Sequence, residues 1–184
     1  MNQYGIGQPV RRVEDRRFLT GHGSYVDDLI RPRQAFAHML RSPHAHARIR
    51  ALDTAAAAAA PGVLAVLTGA DVAGDGLGPI PCLGALTNRD GSISPVPPRP
   101  AMVRERVRHV GDTVAMVVAE SLAQARDAAE LIEIDYEPLP AAVETALALD
   151  PGQPAVWDEM PGNLAFDWGL GDEAAVERAM LSAR

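Results

Sequence analysis

The stretch that most limits what this chain can fold into runs from Arg108 to Pro140, RHVGDTVAMVVAESLAQARDAAELIEIDYEPLP. Thr113 to Ala119 is a short, nearly continuous apolar run rich in valine, the pattern of a strand buried on both faces. Ser121 followed three residues later by Gln124 has the spacing of a capping box, in which each side chain satisfies a backbone N–H of the first helical turn. Leu122, Ala125, Ala129 and Ile132 then fall at helical spacing on one face, with Arg126, Asp127 and Glu130 on the other. From Ile132 the period changes to two. Ile132, Ile134 and Tyr136 alternate with acids until Pro138 and Pro140 end the strand. Strand, helix and strand predict a packed α/β unit whose connection crosses over to pair both strands in one sheet.

The remaining elements follow in chain order. Residues 1–33 read as an irregular arm with turns at Gly21, Gly23 and Pro32, anchored by Phe18, Leu19, Tyr25 and Val26. Strands are predicted over 35–40, 47–52 and 63–67, with a short helix over 55–60 capped by Thr54 and closed by Pro61–Gly62. Residues 69–100 are dense in proline and glycine and read as a long loop that packs on a partner or lines a site. Extended chain returns over 102–110, and Gly111–Asp112 has the form of a tight hairpin turn. A short helix is expected in 141–149, and Asp172 is placed to cap a last helix on which Val176, Ala179 and Met180 share a face. The chain stops at Arg184 in mid-element, so it reads as a piece of something longer.

At 184 residues, 47% hydrophobic and 22% charged, the chain has room for one sizeable globular domain with trailing segments. No apolar run approaches the ~20 residues of a membrane helix, and the start lacks the apolar centre of a secretory signal. A single cysteine, Cys82, excludes an internal disulfide and a cysteine-built metal or iron–sulfur site. A cytoplasmic protein is expected. Charge is unevenly placed: residues 1–50 carry nine arginines against four acids, and 112–184 three against fifteen, with no lysine anywhere. The basic head is interleaved with Glu14, Asp15, Asp27 and Asp28 and lacks an aromatic platform, which argues against nucleic acid. Arginines that dock a partner surface, or another part of the same protein, fit better.

The candidate chemical motifs are thin. Gly5–Ile6–Gly7, Gly21–His22–Gly23 and the glycines at 74, 76 and 78 do not sit between a strand and a helix, so they read as turn glycines rather than a phosphate loop. His44 and His46 point to one side of an extended segment, with His38 and His22 upstream, but lack the third and fourth ligands that zinc needs. The adjacent acids Glu14–Asp15 and Asp27–Asp28 diverge and form no catalytic pair. Cys82 has no activating base near it in sequence. No catalytic, cofactor-binding or metal-binding residue is nominated.

Several stretches together resemble a known family. RRVEDRRFLTGHGSYVDD (11–28), RSPHAHARI (41–49), GVLAVLTGADV (62–72) and VRHVGDTVAMVVAES with AAELIEIDYEPLPA (107–141) are similar to the start of the molybdenum-cofactor-binding large subunit of the xanthine dehydrogenase/aldehyde oxidase family. The opening is most similar to the aerobic carbon monoxide dehydrogenase branch. The resemblance implies an α/β (α+β) fold, the α/β hammerhead, with a mixed sheet and short helices. It divides the chain into an arm (1–17), the hammerhead (18–137, with the 69–100 loop), and a connecting segment with the start of a truncated following domain (138–184). It implies a structural domain of a molybdenum hydroxylase-type oxidoreductase, not competent alone. The cofactor would be a molybdenum-pterin, molybdopterin cytosine dinucleotide or a relative, held by later domains, with iron–sulfur and FAD subunits as partners. The family's molybdenum loops and glutamate base match nothing in this chain, so no residue is carried over. The other readings are a free-standing α/β module that docks a partner through its arginine arm, and a small-molecule binder using the 69–100 loop.

Overall fold

The computed structural model describes residues 7, 11–82, 84–160 and 162–183. It divides at Gln34/Ala35 into two compact units. In the N-terminal unit, helix α1 spans Asp15–Leu19 and a 3-10 turn spans Val26–Asp28, and neither buries a residue. The Phe18 and Tyr25 rings stack at 5.4 Å, and Asp28 Oδ2 accepts the Tyr25 N–H at 2.8 Å. Leu19 and Val26, expected as anchors, are instead exposed, which leaves the aromatic pair as the apolar contact of this segment.

The second unit holds two three-stranded sheets. One has the order β1 (Phe36–Arg41), β5 (Thr113–Ala119), β3 (Val63–Thr68). The other has the order β4 (Arg106–Val107), β2 (Ala47–Asp53), β6 (Glu133–Pro138). Every pairing is antiparallel. The valine-rich run forms β5, the central strand, with Val114, Ala115, Val117 and Ala119 fully buried. Pairing of β5 with β6 in one sheet does not occur. Both edges of β5 are already taken by β1 and β3, while β6 carries exposed Glu133 and Asp135 and joins β2 on the second sheet.

Helix α4 (Leu122–Ala129) packs on β1 and β5. Its buried face is Ala125, Ala128 and Ala129, continued by Ile132, and it meets Ala57, Ala115, Val117 and Ala119. Small side chains let the helix lie close on the strand. Leu122, expected on that face, sits at the first helical position and is 38% exposed. Ser121 does cap the helix: its Oγ accepts the Gln124 N–H at 3.3 Å and donates to Gln124 Oε1 at 2.7 Å. The glutamine therefore bonds the cap hydroxyl rather than the cap backbone, and the box is half formed.

Helix α2 (Ala55–Ala58) is shorter than expected and Thr54 does not cap it. Thr54 lies outside the extended conformation that aims a hydroxyl at the helix, and Asp53 Oδ1 accepts the Ala55 N–H at 2.9 Å in its place. The 69–100 segment opens with an unexpected helix, α3 (Gly69–Gly74). Thr68 Oγ1 accepts the Ala70 N–H, and the Asp71 carboxylate accepts both the N–H and the hydroxyl of Thr68 at 2.7 Å. Farther along, Thr87 and Ile93 form an isolated antiparallel bridge.

Of 102–110 only Arg106–Val107 is strand. Residues 109–112 do not make a β4–β5 hairpin; they carry the chain from one sheet to the other. Gly111 has φ 94°, and the buried Ser42 clips the turn from behind: its N–H donates to Asp112 O and its C=O accepts from Gly111 N–H, each at 2.8 Å. Val107 and Val114, on either side of the turn, share a second core cluster with Ala47 and Val103. Residues 141–149 form single turns, not a helix, because Val143, Leu147 and Leu149 stay exposed and no apolar face is covered. The last helix, α5 (Glu173–Ser182), is capped by Asp172, whose Oδ1 accepts the Ala175 N–H at 2.9 Å.

Candidate functional site

Arg48 and Arg50 lie on β2, Arg106 lies on β4, and Arg104 and Arg108 flank it. The antiparallel register sets Arg48 opposite Arg106. The five line one cleft of about 800 Å³, whose other wall includes Leu77, Pro79 and Pro100 of the long loop. Directly opposed like charges in a sheet are destabilising by roughly 0.2–1 kcal/mol. The arrangement is therefore a local cost that something must offset.

Part of the offset comes from 156–158. Asp158 Oδ1 accepts from Arg106 Nη1 at 2.9 Å, and that bond, followed by the charge of Arg106, holds the Asp158 carboxyl below its usual range. Arg108 donates from Nε to Val156 O at 3.2 Å and lies 3.6 Å over the Trp157 ring, a cation–π contact. Burial, and then the neighbouring Arg106, lower the pKa of Arg108. Arg50 pairs with Glu137 across to β6. Arg48 and Arg104 are exposed and have no ion pair among the described residues. Asn163 braces the 156–158 strap, accepting the Val156 N–H and donating to the carbonyls of Ala148 and Pro154.

The histidines do not converge. His44 tilts against the Tyr136 ring at 4.8 Å, while His46 Nδ1 donates to the Pro140 carbonyl at 2.8 Å and its buried Nε2 has no partner among the described residues. His38 lies on β1. No three His, Cys, Asp or Glu side chains gather as metal ligands among the described residues. Cys82 is exposed. Gly21 takes positive φ in a turn, whereas Gly5 and Ile6 lie outside the described residues, as does most of 1–10. Asp15 pairs with Arg12 at 3.8 Å, and Asp28 is spent on the Tyr25 N–H.

A molybdenum-pterin dinucleotide needs a cradle for its phosphates. Helix α3, which begins at the residue after β3, has the Asp71 carboxylate over its N-terminus, which repels a second anion there. Chemically the arrangement concentrates positive charge. The arginines stand in the sequence as R-x-R and R-x-R-x-R, and only the pairing of β2 with β4 brings the two stretches together.

The aldehyde oxidase and xanthine dehydrogenase a/b hammerhead domain family matches residues 20–140. The carbon monoxide dehydrogenase large chain of Afipia carboxidovorans is 39% identical over 97% of this chain and 22% of its own length. Quinoline 2-oxidoreductase from Pseudomonas putida 86 superposes with a TM-score of 0.72 at 42% identity, over 87% of this chain and 20% of that one. The Cu,Mo-CO dehydrogenase in its carbon monoxide reduced state superposes at 0.70 and 34% identity, over 97% and 23%. The chain thus spans about a fifth of the length of the relatives it matches. No helix among the described residues is long and apolar enough to cross a membrane.

Proposed function

Because the chain belongs to the aldehyde oxidase and xanthine dehydrogenase family, whose a/b hammerhead domain it carries, we propose that it serves as the N-terminal structural domain of a molybdenum hydroxylase large subunit. In this reading 1–17 is an arm, 18–137 the hammerhead, and 138–184 the connection to a following domain. The observation that carries it is similarity over 97% of the chain to a large chain of which it spans 22%. The domain's part is scaffolding. Its two sheets present loops and an arginine cleft to neighbouring protein, and the oxidation takes place elsewhere.

The molybdenum-pterin, a molybdopterin cytosine dinucleotide by the family resemblance, is held in this proposal by other domains of the large subunit. Iron–sulfur and FAD subunits complete the complex in the cytoplasm. What supports placing the cofactor outside this chain is the donor chemistry: isolated histidines, a lone exposed Cys82 and a carboxylate at the helix terminus a phosphate would need.

The test is an exchange. This chain is substituted for the matching segment of the Afipia carboxidovorans large chain, and molybdenum content and dye reduction are measured for the chimera and for the chain alone. The chimera is expected to assemble, hold molybdenum and turn over, and the chain alone to do none of these. About one molybdenum per isolated chain with turnover would overturn the scaffolding role. A chimera that folds but excludes the partner subunits would overturn the placement.

A further inference from the structure

The proline- and glycine-rich segment carries a small hairpin whose tip grips the 167–173 stretch. Thr87 and Ile93 form its antiparallel bridge, the Asn88 N–H donates to Ser92 O at 2.8 Å, and the buried Ser94 is bonded to Leu86 through both its N–H and its hydroxyl. Gly91 closes the turn with φ 84°. So pinned, the hairpin presents Asn88 and Arg89. The Arg89 N–H donates to Asp167 O at 2.8 Å, and Asn88 Oδ1 accepts the Asp167 N–H at 2.9 Å. The Arg89 guanidinium then spans two carboxylates, Asp167 at 3.4 Å and Glu173, in the first turn of α5, at 3.1 Å. Gly169 leaves room for it, since an added Cβ there would lie 2.7 Å from Arg89 Nε. We propose that Asn88 and Arg89 form a polar clasp that sets the direction of α5 relative to the sheets, and that ionic strength opens it.

Little else holds this part of the chain. Helix α5 buries no residue, and its Val176, Met180 and Leu181 stay largely exposed. Ahead of it Leu164, Phe166, Trp168 and Leu170 are also exposed. Among the described residues, the Arg89–Glu173 pair is the only side-chain hydrogen bond or ion pair that joins α5 to anything before its Asp172 cap. A surface helix is normally oriented by burying an apolar face, and α5 covers none, so the direction falls to these charges. The side chains of Arg89, Asp167 and Glu173 are each more than half exposed, which makes their pairs weak and open to screening by salt. A hold of that strength is reversible. It stands apart from the scaffolding role, because every group in it belongs to this chain.

The experiment measures a distance in the purified full chain. Cys82→Ser removes the native thiol, and Glu120→Cys and Glu177→Cys, both at exposed positions, carry spin labels beside β5 and on α5. Pulsed electron paramagnetic resonance at low salt should give one narrow distance distribution for this parent. Arg89→Gln and Gly169→Ala, which disturb the clasp from opposite sides, should each broaden it about twofold, as should raising salt from about 0.05 to 0.5 M. Arg89→Lys, a point charge in place of a fork, should fall between. Arg126→Gln, at an exposed arginine of α4, should keep the parent's width. In Arg89→Gln the Asp167 amide should also exchange about fivefold faster while those of β5 stay protected, which separates release of the clasp from loss of the fold. A parent distribution already broad at low salt would overturn the proposal. So would an Arg89→Gln distribution as narrow as the parent's, or equal broadening by Arg126→Gln. A width indifferent to salt would overturn the control by ionic strength.

Discussion

Gly69 and Gly74 stand at the two ends of one six-residue helix, and replacing each with alanine should change stability in opposite directions. At Gly69 an added Cβ would lie 2.6 Å from the Val103 carbonyl oxygen, 2.8 Å from its carbon and 2.8 Å from Arg104 Cγ. The arginine stem can swing aside. The Val103 backbone cannot, because its N–H is bonded to Thr113 O at 2.9 Å and its side chain is 5% exposed in the second core. Overpacking against a fixed group costs about 1–3 kcal/mol, whereas alanine's helix propensity returns less than ~1 kcal/mol. Gly69→Ala should therefore destabilise by about 1–2 kcal/mol, or roughly 2–8 °C for a chain of this size. At Gly74 nothing lies within 4 Å of the added carbon. There the propensity term stands alone, and Gly74→Ala should be neutral or stabilising by up to ~1 kcal/mol. Urea unfolding followed by tryptophan fluorescence gives both midpoints, with unchanged m-values as the check that only stability moved. A Gly69→Ala midpoint at or above that of Gly74→Ala would refute the close-approach argument.

Ser121→Ala removes the cap of α4 and should cost about 1 kcal/mol, read as a shift in denaturant midpoint; a neutral result would remove the cap assignment. Leu122→Ser, at a position 38% exposed, should cost less than about 1 kcal/mol. Val117→Ala, in the fully buried central strand, should cost about 2–3 kcal/mol from lost methyl burial plus the cavity, and a cost below that of Leu122→Ser would contradict the core assignment. Asp158 titrates below its ordinary 3.8, so its pairing contributes stability above that pH and loses it as pH falls through the depressed folded value. Arg106→Ala should move the Asp158 midpoint up toward 3.8 by carboxyl NMR, and an unmoved midpoint would show that Arg106 is not the cause. Amides of α1 and of 26–28, where no residue is buried, should exchange far faster than those of β5.

The parts of the fold legible in the sequence are those set by local chemistry. The bounds of β5, the start of α4 at Ser121 and the Asp172 cap all come from side chains acting within a few residues. Sheet membership is set by partners far along the chain, so nothing near β6 announced that it would leave β5 for β2. Helix α3 is hidden in the sequence because glycine and alanine dominate it, although Thr68 and Asp71 have the spacing of a capping box. Over 141–149 the reverse holds: good helix formers find no surface to cover their leucines. At the cleft, the period-two arginines were readable as a pattern. Their meeting across β2 and β4, and the Trp157 strap that clasps Arg108, were not.

The two sheets impose an order of events on synthesis. β1, β2 and β3 never pair with one another; each pairs only with β4, β5 or β6. When Thr68 leaves the ribosome, three strands exist and none has a partner in the fold. The last partner is complete only at Pro138, seventy residues later, which at ~5–20 residues per second is a wait of about 4–14 s. During that interval the nascent chain exposes open strand edges with apolar Val63 to Leu67 among them. A ribosome that stalls between 68 and 106 releases a chain that cannot build either sheet.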